Sequence, residues 1–121
     1  MDLICKNEAV PRQFVGDNSF RDTEIEKIEI CRVNCSVALD VDFRMRQNSD
    51  WARVRLRFEE CIFYSLYSTE RDSYVVENLK FFITDEGHFY ASFDPYGEEE
   101  IVSDRDNDVI HAKKINAYQV T

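Results

Sequence analysis

Asp104, Asp106 and Asp108 alternate with Arg105 and Asn107, a spacing that in calcium loops gathers carboxylate oxygens around one divalent cation. Such loops continue with a glycine and close on a bidentate glutamate at their twelfth position. Here Val109 and Ile115 stand at those places, and a strand-like alternation follows. The aspartates therefore read as turn formers that bond nearby backbone. Cys31 and Cys35 on one uninterrupted strand would share a face about 13 Å apart, too far to hold one ion. Cys61, His88 and His111 stand apart from one another in sequence, and neither a metal centre nor a Cys/His nucleophilic pair is expected. The chain holds no phosphate loop, nucleophile elbow, zinc-protease helix or dinucleotide fingerprint. It reads as a non-enzyme without cofactor or metal.

Charge is distributed unevenly. Residues 85 to 108 carry nine carboxylates against Arg105 alone, a net −8, whereas residues 44 to 57 carry five arginines against Asp50, a net +4. Nearly all of the chain's net charge of −9 thus falls in one loop-rich stretch. A like-charged run serves either as a solvated loop or as a docking surface, because a concentrated field of one sign steers an oppositely charged partner. On the docking reading, Asp94, Glu98, Glu99, Glu100, Asp104 and Asp106 supply the charge, and Tyr96, Phe82 and Tyr90 supply aromatic anchors. An acidic chain with a pI near 4.7 does not attract nucleic acid or an anionic membrane directly. Among the arginines, Arg55 and Arg57 have aspartates to face, and Arg46 has Trp51 to stack on. Arg44 and Arg53 face each other and need an outside anion or a neighbouring acidic strand.

The elements that must position these groups follow from hydrophobic period. From Ile25 onward apolar residues alternate with period two, which marks half-buried strands. Ser36 to Arg46 and Trp51 to Glu59 form a hairpin around Gln47-Asn48-Ser49-Asp50. Its register sets Phe43 opposite Val54, Val41 opposite Leu56 and Leu39 opposite Phe58, with Asp42/Arg55 and Asp40/Arg57 on the other face. A second hairpin runs from Tyr74 to Thr84, turns at Asp85-Glu86-Gly87 and returns through His88 to Asp94. Gly87 supplies the left-handed residue of the three-residue loop. This arrangement pairs Leu79 with Phe93, Phe81 with Ala91, Ile83 with Phe89 and Phe82 with Tyr90, so the hairpin is apolar on both faces. Further strands are predicted at Ile25 to Val33, Ile62 to Tyr67 and Val109 to Val120. Residues 9 to 20 hold a short helix or an edge strand.

The fold class is mainly β, an antiparallel sandwich or partly open barrel of about seven strands. With 121 residues, three glycines, two prolines and no repeat, nothing divides the chain, and residues 1–121 read as a single domain. The first fifteen residues are too interspersed with charge for a secretory leader, so a cytoplasmic location is expected. There the four cysteines would be reduced, with Cys31, Cys35 and Cys61 buried or half-buried.

Ser92-Phe93-Asp94-Pro95-Tyr96, Asp106-Asn107-Asp108-Val109-Ile110 and Ile115-Asn116-Ala117-Tyr118 resemble the ending of small uncharacterised bacterial immunity-type proteins, of contact-dependent inhibition or polymorphic toxin systems. The resemblance covers about a quarter of the chain. It implies a monomeric or weakly dimeric cytoplasmic protein that neutralises a basic toxin domain, a nuclease by preference. Two other classes remain open: a small ligand-binding β-barrel or hydrolase-like enzyme with a pocket near Arg44, Arg53 or His111, and a protein that self-associates through the Phe82/Tyr90 face.

Overall fold

The structure is a computed structural model that describes residues 1–67 and 74–121. Its strands are β1 (Asp2–Lys6), β2 (Glu24–Val33), β3 (Ser36–Arg44), β4 (Arg53–Ser65), β5 (Tyr74–Val75), β6 (Lys80–Ile83), β7 (Phe89–Asp94) and β8 (Asn107–Gln119). A one-turn helix α1 (Ala9–Gln13) and a 3-10 turn at Gly16–Asn18 lie between β1 and β2. Among the described residues all eight strands join one antiparallel sheet in the order β5-β2-β3-β4-β8-β7-β6. β8 is long enough for two partners on one side, with β7 along its first half and β1 along its last residues. The sheet curls into a half-barrel, so of the two expected architectures the partly open barrel is the one observed. No helix among the described residues is long and apolar enough to cross a membrane.

The concave face is filled by side chains. Leu39, Val41 and Phe43 from β3, Val54, Leu56 and Phe58 from β4, and Ile110, Ile115 and Ala117 from β8 are all fully buried there. Val10, Phe14 and Phe20 close the open side: Phe14 stacks on Phe20 at 4.6 Å between ring centroids, and Phe20 meets Phe43 at 4.5 Å. A short helix therefore serves as a lid on the core, which resolves the uncertain stretch 9 to 20.

The β3–β4 register is as the sequence predicts, with Leu39, Val41 and Phe43 facing Phe58, Leu56 and Val54. On the outer face Arg55 grips Asp42 through two bonds of 2.6 and 2.9 Å, and Arg57 holds Asp40 at 3.0 Å. The opposed pair Arg44 and Arg53 finds its anion on the neighbouring strand, where Glu26 of β2 lies 3.0 Å from each. The arginine row is thus neutralised from within. Arg46 donates to the carbonyl of Gly16, while Trp51 lies against Phe14 at 5.2 Å.

Four features of the strands depart from expectation. β1 is a strand where none is predicted, and it pairs with the end of β8. β4 runs unbroken through the predicted gap between Glu59 and Ile62, because a slip absorbs the change of period: Glu60 takes φ 52°, and the register shifts between Cys61 and Phe63. The predicted strand from Tyr74 breaks after Val75. β5 leaves to pair with β2, and β6 alone forms the hairpin with β7. The predicted part of Ile62 to Tyr67 beyond Ser65 is not strand.

The cysteines are free thiols. Cys35, expected to be at least half-buried, is exposed, because the β2–β3 hairpin turns tightly at Asn34 (φ 59°) and Cys35 beside the Val33/Ser36 pair. Cys61 is half-buried on the inner face, and burial pushes its thiol up to about 11. In a thiol titration with a disulfide reagent at pH 8, Cys35 should react first and Cys61 last, since the thiolate is the nucleophile. Peptide mapping of the labelled thiols checks the order; equal labelling of both would contradict this environment.

Candidate functional site

The acidic stretch between β7 and β8 is a shaped loop folded back over the outer face of the sheet. What holds it is an ion pair with almost no solvent contact. Lys80 of β6 carries its ammonium to both oxygens of Asp106, at 2.9 and 3.1 Å, with the two side chains 1% and 0% exposed. Tyr90 of β7 donates its hydroxyl to Asp106 Oδ2 at 2.5 Å. The backbone N–H groups of Tyr96 and Ser103 also donate to this carboxylate, at 2.8 and 3.3 Å, and the Lys80 ammonium donates to the Ile101 carbonyl at 3.1 Å. Three separated points of the loop are therefore tied to one buried centre. Burial by itself would raise the Asp106 carboxyl, but donation from Tyr90, Lys80 and the Tyr96 backbone outweighs it and holds the group below the usual carboxylate range.

This geometry revises the predicted surface. Phe82, Tyr90 and Asp106, expected as partner-binding residues, are buried, so they do not form the exposed anchors and charge that the expectation gave them. Phe82 and Tyr90 are cross-strand neighbours with ring centroids 5.2 Å apart, and with Val109 they form a second small core beneath the loop. The physical reason is that an apolar second face demands cover, and the loop supplies it. The expectation of turn bonding to nearby backbone fits Asp106 in its bond from Ser103, three residues away, whereas Asp108 accepts from the distant Tyr67 backbone at 2.8 Å. Asp94, Tyr96, Glu98, Glu99, Glu100 and Asp104 remain exposed. The Arg105 guanidinium lies 5.0 Å from the centre of the Tyr96 ring.

Apolar surface stands beside these charges. The register slip in β4 brings Phe63 opposite His111, on the same outer face as Tyr90. Phe63 and Tyr67 are 54% and 63% exposed, and Val102 of the loop is 56% exposed. Together they wall a groove of about 420 Å³ whose floor includes Tyr90, Val109 and His111 and whose rim includes Asp104. His111 Nε2 is buried in the groove lining, without a hydrogen-bond partner among the described residues. Burial, with His88 nearby, lowers the pKa of this imidazole, so it is neutral at pH 7.

The sequence reading missed Lys80 and the groove. A lysine between Leu79 and Phe81 in a strand apolar on both faces was the available signal, since it had to find a buried anion or unfold the hairpin. The groove had no comparable signal, because it depends on the slip in β4. The ligand-pocket reading places a deep internal pocket near Arg44, Arg53 or His111. Instead the two arginines pair with Glu26, and His111 lies on β8 facing the loop, while the concave interior is packed. Another depression, about 620 Å³, lies along the β6 edge between Phe14, Arg46 and Glu100. No family model, no curated protein and no solved structure matches this chain.

Proposed function

We propose that this chain is an immunity protein, which binds a basic toxin domain in the cytoplasm and neutralises it by covering its active site. The observation that carries the reading is an acidic loop tied down in a fixed shape. Asp94, Glu98, Glu99, Glu100 and Asp104 are exposed, and no ion pair neutralises them among the described residues. Fixing a loop before encounter removes part of the ordering cost of association, and unneutralised charge raises the encounter rate. A nuclease is the favoured target, because a cleft built for phosphates is positive and these carboxylates would occupy it in place of the substrate. The protein acts by binding, as a monomer or weak dimer, without catalysis of its own.

The partner is sought among the products of neighbouring genes: a secreted protein encoded there would be the candidate, and its C-terminal domain would be produced and mixed with this chain. Co-expression should rescue cells from that domain, and a stable complex should form with the purified pair. Replacing Glu98, Glu99 and Glu100 together with Lys should slow association at least tenfold, about 1.4 kcal/mol in activation free energy, and weaken its salt dependence. Thermal stability should stay nearly unchanged, since all three side chains are exposed. Stopped-flow association at two salt concentrations checks this. Rescue and association unaffected by the charge reversal would overturn the reading.

A further inference from the structure

We propose that the groove between the end of β4 and the 102–106 loop is an arginine pocket, which takes a side chain projecting from the basic partner. This deepens the immunity reading and rests on it for the identity of the partner, but not for the chemistry of the pocket. Four observations select the occupant. Phe63, Tyr67 and Val102 are large, exposed and apolar, so the walls favour a side chain with an aliphatic stem or a flat face. Asp104 on the rim is exposed, without a described ion pair, and supplies a carboxylate for a cation. His111 holds a buried Nε2 without a hydrogen-bond partner among the described residues, and a neutral imidazole nitrogen accepts a donor. Among the described residues the nearby cations are already engaged, since Lys80 is locked to Asp106 and Arg105 lies over Tyr96.

Arginine meets all four conditions and lysine does not. Its planar guanidinium stacks on aromatic faces, carries donors in several directions, and is more weakly hydrated than an ammonium, so it loses less on entering an aromatic groove. One guanidinium donor would go to the Asp104 carboxylate and another, once a wall side chain shifts to uncover it, to His111 Nε2, with the stem along Phe63 and Val102. The volume of about 420 Å³ falls within the range of pockets that enclose a small ligand. The aspartates and glutamates of the loop would then bring the partner in, and the groove would fix its register.

The test uses the full chain and three short blocked peptides of sequence Gly-X-Gly, in which X is arginine, lysine or citrulline, the neutral isostere of arginine. Two-dimensional NMR should show saturable shifts at Phe63, Val102 and the His111 ring with the arginine peptide. Citrulline should bind at least tenfold more weakly and lysine several-fold more weakly. Asp104→Asn should weaken the arginine peptide about tenfold, and Phe63→Ala should weaken all three. A variant with Glu98, Glu99 and Glu100 changed to Gln should keep the groove shifts. Equal binding of arginine and citrulline, shifts centred on Glu98–Glu100, or no saturation would each overturn the pocket. Toxin rescue that survives Phe63→Ala and Asp104→Asn would leave the immunity reading standing and remove the groove from it. Selective arginine binding without any toxin partner would do the reverse.

Discussion

Replacing Asp106 with Ala should destabilise the protein by about 3–5 kcal/mol, the cost of leaving a buried charge without its partner. The Lys80 ammonium would lose both carboxylate oxygens and keep the Ile101 carbonyl, in a site where its side chain is 1% exposed. The loop would also lose the anchors at Tyr96 and Ser103, and the Tyr90 hydroxyl would lose its acceptor. Replacing both partners, Lys80→Met with Asp106→Leu, should recover most of that loss, because a well-packed apolar pair pays no desolvation. The double variant would leave the Tyr96 and Ser103 N–H groups without their acceptor, so its loop should exchange amide hydrogens faster than in the native chain. Urea denaturation of the native, single and double variants measures the cycle. A single variant that costs less than about 1 kcal/mol would show that water reaches the pair.

The same centre sets a pH dependence. Asp106 is held below its ordinary value of 3.8 in the fold, so its stabilisation is complete above the unfolded value and is lost as the pH falls through the lower folded one. Tyr90 is displaced the other way: burial and the hydrogen bond to Asp106 raise its hydroxyl above the ordinary 10.0. The unfolded chain therefore ionises first in alkali, and the contribution of Tyr90 is present below pH 10 and fades above it. Stability of the native chain should decline at both ends, and the double variant should decline less below pH 4 than the native chain does.

How much of this was legible in the sequence depends on whether a contact leaves a local pattern. The β3–β4 register was legible because its two faces carry separate codes, apolar residues on one and Asp40, Asp42, Arg55 and Arg57 on the other, and both codes require one alignment. The turn at Gly87 was legible because φ 81° there needs glycine. β1 was not legible. Its five residues mix charge and apolar groups without a period, and their partners lie at the far end of the chain. β4 was read as two strands because the slip near Glu60 interrupts its alternation. The acidic loop was legible as charge and not as structure. Lys80 and Asp106 are 26 residues apart and belong to segments of opposite character, one apolar and one acidic. Counting unsatisfied groups could have joined them: a lysine inside an apolar hairpin and an apolar second face both require cover from elsewhere in the chain.

Truncating Leu56 to Ala should cost about 2–5 kcal/mol, through lost burial and the cavity left behind. Leu56 sits on the central strand of the sheet, opposite Val41 on β3 and Ala117 on β8, with no exposed surface. Neighbours held on both sides by strand pairing have little freedom to collapse into the space, which favours the upper part of that range. Arg55, the next residue along the strand, faces outward and should behave differently. Its guanidinium makes two bonds to Asp42, but both side chains keep about a fifth to a quarter of their surface in water. Arg55→Ala should therefore cost only about 1 kcal/mol, because water takes over part of what the partner provided. The value of that ladder is alignment: a one-residue slip would turn Arg55 and Arg57 into the core and Leu56 out of it, an exchange no unpaired charge could tolerate. Thermal and urea denaturation of the two variants side by side test the assignment. A larger loss for Arg55→Ala than for Leu56→Ala would reverse the two faces of β4, and with them the separation between the packed concave side and the outer face that carries the loop.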